Sequence, residues 1–405
     1  MTTTSINMDK IPPFVKIVTK GQNTIHTLEP GFLSNFDLST RIFRSLITDQ
    51  TGSIVSIAPA KSLPNDDFLG IFTDTARMRA TEIVEGTMIN LFWNSSQWEI
   101  ATKRSVGCDY HFFRNEYFPG LPEPEQKSFR QMMLDAVSDT YIGGFANSLN
   151  LAKNRCYSFV VQHPSNHIVV PVDAAALYLV GCYEIANNPG VVRTYKFIDV
   201  FDLKEQFAGS QVKFPRCFTD TSEQVAIEQC FECGNNSPVT IGNIVRVTKN
   251  PTNSYRIPGI MITELDTGFR TSFANVKYEE VKLLRGNNPN LHYQYLVLRK
   301  VNRDAEFLRY FPQYSAHFAR FREHFDAFAT RIHRLYIDVH VTKVIALDAV
   351  VDKRDKYHIQ KLHYNFYIPA LKLFKSGDSN DAIKPKVTRA TVVEYLDGEN
   401  IMVPM

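Results

Sequence analysis

The sequence predicts an α+β protein, with an antiparallel-sheet domain followed by a smaller, mostly helical C-terminal domain. Up to about residue 275, short β-branched and aromatic runs alternate with turn sequences, which is typical of antiparallel strands. Beyond about residue 285, apolar residues recur every three or four positions, as in amphipathic helices. A length of 405 residues also exceeds that of one usual compact domain. We therefore expect an N-terminal extension (1–34), a sheet domain (35–284) and a helical domain (285–405).

Four β-hairpins and one helix are predicted in the sheet domain. The hairpins cover residues 41–59, 82–105, 156–172 and 258–274, with turns at DQTG, NSSQ, HPSN and DTG. Further strands are expected at 176–185 and 194–203. The helix is expected over 122–145, because acidic residues lie in its first turn and two glycines near its end.

Apolar residues at helical spacing predict a long amphipathic helix in the second domain, namely Phe318, Phe321, Phe325, Phe328, Ile332 and Leu335. Its other face carries the basic residues Arg320, Arg322, Arg331, His333 and Arg334. That face could hold an RNA backbone or a partner protein, or it could simply be solvated. A second helix is expected over 352–374, and the tail (386–405) is expected to return as a strand or to lie loose.

The composition is that of a globular protein and restricts the kinds of partner. The formal net charge is only +3, so nucleic-acid binding would require a local basic patch. No apolar run approaches the ~20 residues of a membrane span. The N-terminus lacks the charged and apolar regions of a signal peptide. We therefore expect a cytoplasmic protein without membrane contact.

The cysteines give one weak indication of a metal site. Cys230 and Cys233 form a CxxC pair, and Cys217 lies upstream, so a zinc site is conceivable. However, the segment TSEQVAIEQCF is typical of a capped helix, and no second CxxC or HxxxH pair completes a ligand set. The sequence therefore predicts reduced thiols and no bound metal.

Five segments stand in an order that is characteristic of one protein family. They are FRSLI with IVSIAPAKSL, EIVEGTMINLFW with WEIATKRSVG, FVVQHPSNHIV, IPGIMITELDTGFR, and KYEEVKLLRGNNPNLHYQYLVLRK with FLRYFPQY. Together they resemble covalent nucleotidyltransferases, specifically RNA ligases of the bacteriophage tRNA-repair type and ligase-like proteins of large DNA viruses. The resemblance covers roughly residues 35 to 340. It implies that the sheet domain is an antiparallel-sheet nucleotidyltransferase domain (ATP-grasp-like ligase), and that a viral member would work in the host cytoplasm or viral factory.

The resemblance also implies that the chemistry has been lost. In that family a lysine amine attacks the α-phosphorus of ATP or GTP and forms a phosphoramidate. The matching position, three residues before Gly86, is Ile83. Three later catalytic elements depart as well, at Val160, at Pro258 with Gly259, and at Ser272 with Ala274. We therefore expect a catalytically degenerate member with no catalytic residues, no metal site and no cofactor.

Several residues that could bind a nucleotide or RNA remain. Arg44, Lys61, Lys103 and Arg104, with Arg270 near the closing motif, could take phosphate oxygens around the former nucleotide cleft. Glu85 could accept hydrogen bonds from a sugar or base, and His163 and Asn166 could donate from a hairpin tip. Trp93 and Trp98 could stack on a nucleobase or a methylated cap. Alternatively, the lysines are solvated, Asn166 shapes a turn, and the tryptophans pack as a cross-strand pair.

Three functions follow from these observations. The first is a non-catalytic protein that binds RNA, at a 5′ end or cap-type nucleotide, in the former nucleotide cleft. The second is an active RNA ligase or guanylyltransferase that uses a displaced lysine, Lys61 or Lys103, and would require magnesium with ATP or GTP. The third is a structural or assembly protein of a large DNA virus, with a protein partner bound by the helical domain.

Overall fold

The computed structural model describes residues 3–6, 8, 11–28, 38–111, 127–187, 193–218, 241–288, 290–376 and 385–398. The chain divides into two compact units. Unit 1 comprises Met1–Arg114 and Pro124–Asn287, and unit 2 comprises Asn115–Glu123 and Asn288–Met405. Residues 1–34, expected as an N-terminal extension, contribute three strands to unit 1.

The described residues of unit 1 form three β-sheets. Their strands are β1 (Thr3–Ile6), β2 (Val15–Lys20), β3 (Asn23–Leu28), β4 (Leu46–Thr48), β5 (Ile54–Ile57), β6 (Met78–Glu82), β7 (Thr87–Asn94), β8 (Gln97–Thr102), β9 (Ser105–Val106), β10 (Arg155–Gln162), β11 (Ala176–Ala186), β12 (Arg193–Ile198), β13 (Val212–Lys213), β14 (Gly259–Glu264) and β15 (Arg270–Ala274). The largest sheet has the order β1-β12-β11-β10-β7-β8-β9, with β13 parallel to β11. The smaller sheets have the orders β15-β14-β6 and β2-β3-β4-β5. The predicted α+β class with antiparallel sheets is confirmed.

Helices cover the sheets of unit 1 and form most of unit 2. In unit 1 they are α1 (Asn65–Ile71), α2 (Phe129–Val137), α3 (Ile142–Ser148), α4 (Ile241–Thr248) and α5 (Val276–Arg285). In unit 2 they are α6 (Leu291–Lys300), α7 (Asp304–Tyr310), α8 (Ser315–Tyr336), α9 (Lys353–Leu362), α10 (Ile368–Ser376) and α11 (Arg389–Gly398). A 3₁₀ helix spans Leu38–Arg44, and π-helical turns span Ile337–Val341 and His363–Tyr367. No helix in the described ranges has the length and apolarity needed to cross a membrane.

The main core lies between the large sheet and the pair α2 and α3. Met132, Met133 and Phe145 from these helices pack with strand residues such as Phe159 and Leu179, all at most 4% exposed. A Ser128 capping box starts α2, and Ser138 ends it in the left-handed conformation. The single helix expected over 122–145 is therefore two helices within the described part of that range.

Three of the four predicted hairpins are confirmed: β4 with β5, β7 with β8, and β14 with β15. The hairpin predicted over 156–172 is wrong in its second arm. Strand β10 pairs with β7 and with β11, whereas residues 167–175 form no strand. The backbone amides of Val169 and Val170 instead donate to the Glu85 carboxylate, so that this segment is held as a loop.

The tail prediction for unit 2 is wrong within the residues that the structure describes. Residues 389–398 form α11, because Val392, Tyr395 and Leu396 bury themselves against the α8 and α9 core. An ion pair between Arg389 and Asp326 of α8 (2.6 Å) adds to this packing. The amphipathic helix predicted around Phe318–Leu335 is confirmed as α8. The proposed Cys230–Cys233 pair lies outside the described residues.

Candidate functional site

A short loop after β5, residues 58–63, is held by three arginines through its own carbonyl groups. The Arg41 guanidinium donates to Lys61 O (3.3 Å) and Ser62 O (3.0 Å). Arg44, at the end of the 3₁₀ helix, donates to Pro59 O (3.4 Å), and Arg270 Nε donates to Ala60 O (3.1 Å). The loop is therefore fixed in place, and the positive charges of Arg44 and Arg270 lie side by side behind it.

The five cations that the sequence singled out are Arg44, Lys61, Lys103, Arg104 and Arg270, of which Lys61 belongs to this loop and Arg44 and Arg270 contact it. Burial lowers the pKa of Lys103, and the charges of Arg44, Arg104 and Lys61 lower it further. Burial and the charge of Arg44 lower the pKa of Arg270 to about 10. Within the described residues, none of the five forms an ion pair with a carboxylate. Like charges held together without a counter-charge are destabilising unless an anion joins them.

The cluster is bordered by two clefts, and Arg44 lies on the wall of both. Cleft A, of about 290 Å³, is lined by residues that include Arg44, Arg79, Glu82, Ile83, Gly86, Val160, Tyr183, Phe197, Asp199 and Arg270. Cleft B, of about 370 Å³, is lined by residues that include Arg44, Thr87, Asn90, Thr102, Lys103, Arg104, Tyr110 and Asn166. A ligand that reaches into both clefts would pass Arg44.

Cleft A contains the expected nucleophile position without its lysine. Ile83 and Val160 both line it, whereas Pro258 and Ser272 belong to the β14–β15 region and are not lining residues. The backbone N–H of Ile83 donates to Gly259 O (2.9 Å), which fixes this position relative to β14. Two of the four positions at which the resemblance expects catalytic residues are thus apolar side chains that line this cleft.

The carboxylates of cleft A already have partners. Asp199 forms an ion pair with Arg79 (2.7 Å), and Glu82 forms one with Arg216 (2.7 Å). Burial raises the pKa of Asp199, and the neighbouring Arg79 opposes that shift. Two carboxylates committed to arginines do not make an open set of oxygen ligands for a divalent cation. Among the described residues, no group of three or more His, Cys, Asp or Glu side chains converges.

Cleft B combines cations with neutral hydrogen-bonding groups. Lys103 and Arg104 stand at the turn between β8 and β9 and are exposed, although Lys103 is partly desolvated by its surroundings. Asn166 is buried and its Nδ2 donates to Thr87 Oγ1 (3.0 Å), while Asn90 accepts from Ser158 Oγ (2.7 Å). The arrangement can accept an anion from the solvent side while the amides fix its inner wall.

Glu85 has a structural contact in place of the expected contact with a sugar or base. Its carboxyl is 8% exposed, and Oε1 accepts from the amides of Val169 (3.0 Å) and Val170 (2.9 Å). Burial raises its pKa, and the two amide hydrogen bonds oppose the shift. Gln162 also donates to the Glu85 carbonyl (2.8 Å). Glu85 therefore holds the 167–170 loop against the segment that connects β6 to β7.

His163 and the two tryptophans line neither cleft. His163 Nε2 is 3.1 Å from Asp135 Oδ2, and its Nδ1 accepts from Ser165 N, so the ring caps a turn. Trp98 is 6% exposed in the main core and makes an edge contact with Trp93. The ammonium of Lys153 covers the Trp93 ring at 3.8 Å. The two tryptophans thus pack as a cross-strand pair, which was the alternative to base stacking in the sequence analysis.

The basic face of α8 is largely neutralised within unit 2. Arg320 pairs with Glu323, Arg322 with Asp304, and Arg331 with Asp355. His333 Nε2 lies 3.2 Å from Val387 O, and Arg334 is exposed. Cations that are already paired lose much of their attraction for a phosphate backbone, so the solvated alternative describes this face better.

Three cleft A residues were missed by the sequence reasoning: Arg79, Tyr183 and Asp199. Arg79 stands on β6, three residues before Glu82, and Asp199 directly follows β12. A polar residue at the end of an apolar strand was a usable signal for Asp199. Nothing local marked Arg79, because its partner is 120 positions away.

Comparison with known proteins gives a consistent but distant likeness. No family model matches the chain. A curated relative, an immediate-early protein ICP-46 homolog of Invertebrate iridescent virus 3, is 23% identical over 258 residues. The match covers 62% of this chain and 47% of the relative, so the chain spans about half the length of that relative.

Similar solved structures are those of an RNA ligase from Naegleria gruberi. A mutant with ATP and Mn is 11% identical, with a TM-score of 0.34, over 55% of this chain and 58% of that one. A mutant with AMP and Mn is 14% identical, with a TM-score of 0.31, over 50% and 51%. Likenesses at these scores identify no function. The function has to be argued from the residues of the site.

Proposed function

We propose that the protein is a non-catalytic, RNA-ligase-like protein that binds the 5′ end of an RNA through its phosphates. The observation that carries the proposal is the cluster of Arg44, Lys61, Lys103, Arg104 and Arg270, which has no carboxylate partner in the described residues. A terminal phosphate chain supplies the missing negative charge. Arginine and lysine donors make charge-assisted hydrogen bonds to phosphate oxygens, about twice as strong as neutral ones.

The absence of nucleotidyl transfer belongs to the same proposal. The position from which an amine would attack the α-phosphorus carries Ile83, which has no nucleophile. The carboxylates Glu82 and Asp199 are engaged by arginines rather than open to a metal. The buried Trp98 removes one support for recognition of a methylated cap, so a 5′-triphosphate is the better expected ligand.

The test is RNA binding by a Lys103→Ala/Arg104→Ala variant, measured by fluorescence anisotropy with one RNA sequence bearing a 5′-triphosphate or a 5′-hydroxyl. Removing two charge-assisted contacts should weaken triphosphate binding on the order of 100-fold. The slope of log Kd against log salt should fall by about 2. The 5′-hydroxyl RNA should show a much smaller loss.

A charge-matched control is Lys16→Ala/Lys249→Ala, which removes two exposed lysines that line neither cleft. This variant should keep the wild-type affinity within about twofold, since distant exposed charges are screened at physiological salt. Equal losses in both double variants, or no loss in the cleft variant, would contradict the proposed site.

One observation favours a second function, an RNA ligase or guanylyltransferase with a displaced lysine. Burial and three neighbouring cations lower the pKa of Lys103, which increases the fraction of free, nucleophilic amine. Incubation with α-labelled ATP or GTP and magnesium tests it. We expect no label on the protein after denaturation. A stable label that disappears in Lys103→Arg but persists in Lys61→Arg would establish the ligase instead.

A further inference from the structure

A second surface that suits a nucleic acid lies on unit 2, outside both clefts. Helix α9, the π-helical turn and α10 follow one another without interruption from Lys353 to Ser376. Tyr357 and Tyr364 are exposed on this segment, at 47% and 65% respectively. Seven residues separate them, which is two helical turns and a rise of about 10 Å. We call the exposed side of this segment, with its two tyrosines, the tyrosine face.

The tyrosine face is held rigidly from behind. Ile359 and Leu362 are fully buried, and Asp355 pairs with Arg331 of α8 at 2.9 Å. His358 Nδ1 lies 2.8 Å from the hydroxyl of Tyr395 on α11. The exposed rings therefore stand on a fixed support, and a ligand that binds them loses little additional conformational entropy.

The π-helical turn is also fixed by ring contacts. The imidazoles of His340 and His363 stack at 4.0 Å between centroids with an interplanar angle of 4°. The Tyr364 ring meets His363 edge to face at 5.4 Å, and the Tyr357 ring meets His358 edge to face at 5.4 Å. Edge contacts orient the two tyrosine rings without covering both of their faces.

The charge around the tyrosine face is positive. Residues 337–376 carry seven Lys or Arg residues and four Asp residues. Three of the aspartates are engaged: Asp348 with Lys356, Asp352 as the N-cap of α9, and Asp355 with Arg331. Cations without an ion pair in the described residues remain along the segment, namely Lys353, Arg354, Lys372 and Lys375. The Lys361 ammonium lies 5.1 Å from the centroid of the Tyr357 ring.

We propose that the tyrosine face binds a single-stranded nucleic acid, with bases stacked on Tyr357 and Tyr364 and the backbone held by the neighbouring lysines. Base stacking on aromatic rings needs no particular sequence, because every base has a π-face. The excess of unpaired cations favours a polyanion as the ligand. This surface is independent of the cleft, so it would bind RNA whatever its 5′ end.

The test is anisotropy of full-length protein with a 20-nucleotide uridine RNA, its deoxythymidine equivalent and an RNA duplex of equal length, all with 5′-hydroxyl ends. The Tyr357→Ala/Tyr364→Ala variant should bind both single strands at least 10-fold more weakly, whereas the duplex, whose bases are already stacked, should bind unchanged. Tyr357→Phe/Tyr364→Phe keeps the rings and should restore affinity to within about twofold of wild type.

The matched control is Tyr141→Ala, since Tyr141 is 60% exposed but lies in unit 1. It should leave every affinity unchanged. Wild-type affinity of the double alanine variant for single strands would overturn the proposal, and so would an equal loss in the phenylalanine variant. The 5′-hydroxyl ends separate this result from the phosphate site, because the Lys103→Ala/Arg104→Ala variant should retain most of its affinity for these ligands.

Discussion

Alanine at position 86 is expected to lower the free energy of unfolding of the protein by about 3 kcal/mol or more. Gly86 has a φ of +153°, and a Cβ there would stand 2.4 Å from Val161 O and 2.6 Å from Val160 Cγ1. The backbone of β10 lies against this position and cannot withdraw without breaking its pairing with β7. A loss of this size corresponds to a fall in Tm of roughly 10 °C, measured by calorimetry.

Gly70→Ala is the matched control for that substitution. Gly70 lies within α1, has no positive φ, and nothing stands within 4 Å of a Cβ built there. Alanine in a helix is favoured over glycine by roughly 0.5–1 kcal/mol, so this variant should be slightly stabilised. If both variants unfolded at the wild-type temperature, the close approach of β10 to Gly86 would be disproved.

Substitution of Glu85 should give the second large effect on stability, and two substitutions should change it in opposite directions. Glu85→Ala leaves the amides of Val169, which is buried, and of Val170, which is partly buried, without their acceptor. We expect a cost of about 2–4 kcal/mol, because each orphaned buried donor costs roughly 1–3 kcal/mol. Glu85→Gln keeps an oxygen acceptor and removes a buried charge. It should therefore be more stable than the wild type at neutral pH, as measured by urea denaturation.

The pH dependence of stability shows whether the charge of the Glu85 carboxylate stabilises or destabilises the folded protein. Burial raises the pKa of Glu85 above its ordinary value, so the folded state holds this proton more tightly than the unfolded state. The tighter proton binding by the folded state stabilises it fully below the ordinary pKa of Glu85. This stabilisation is lost as the pH rises through the pKa of Glu85 in the folded state. Glu85→Gln should gain stability relative to wild type over that window. A constant difference across the window would mean that Glu85 has the same pKa folded and unfolded.

The sequence predicted local structure well where a turn separated two apolar runs. The turns between β4 and β5, β7 and β8, and β14 and β15 all carried polar or glycine residues at the right places. It failed at Val169 and Val170, which have strand-like character but donate their amides to Glu85, more than 80 residues earlier. It also failed at Thr391–Val393, where burial against α8 overrides the strand preference of β-branched side chains.

The candidate site was predictable only in part. The resemblance in sequence order brought Arg44, Lys61, Lys103, Arg104 and Arg270 into one hypothesis. The charges of Arg44, Arg104 and Lys61 lower the pKa of Lys103, and the charge of Arg44 lowers the pKa of Arg270. Two features of the site could not be predicted from the sequence, for physical reasons. A tryptophan suited to stacking looks the same in sequence whether it is exposed or buried, and Trp98 is buried. Ion pairs such as Arg79 with Asp199 join distant parts of the chain and have no local signal.

The place of β1 at the edge of the large sheet has a consequence for synthesis on the ribosome. Thr3 pairs with Lys196, so β1 must wait for a partner about 190 residues later, on the order of 10–40 s of translation. During that time its amides and carbonyls are open to any other exposed strand. Pairings between residues so far apart also slow folding, since the loop must close before the contact gains anything. The docking of β1 would then come only after all the other strands of its sheet up to β12 have been made.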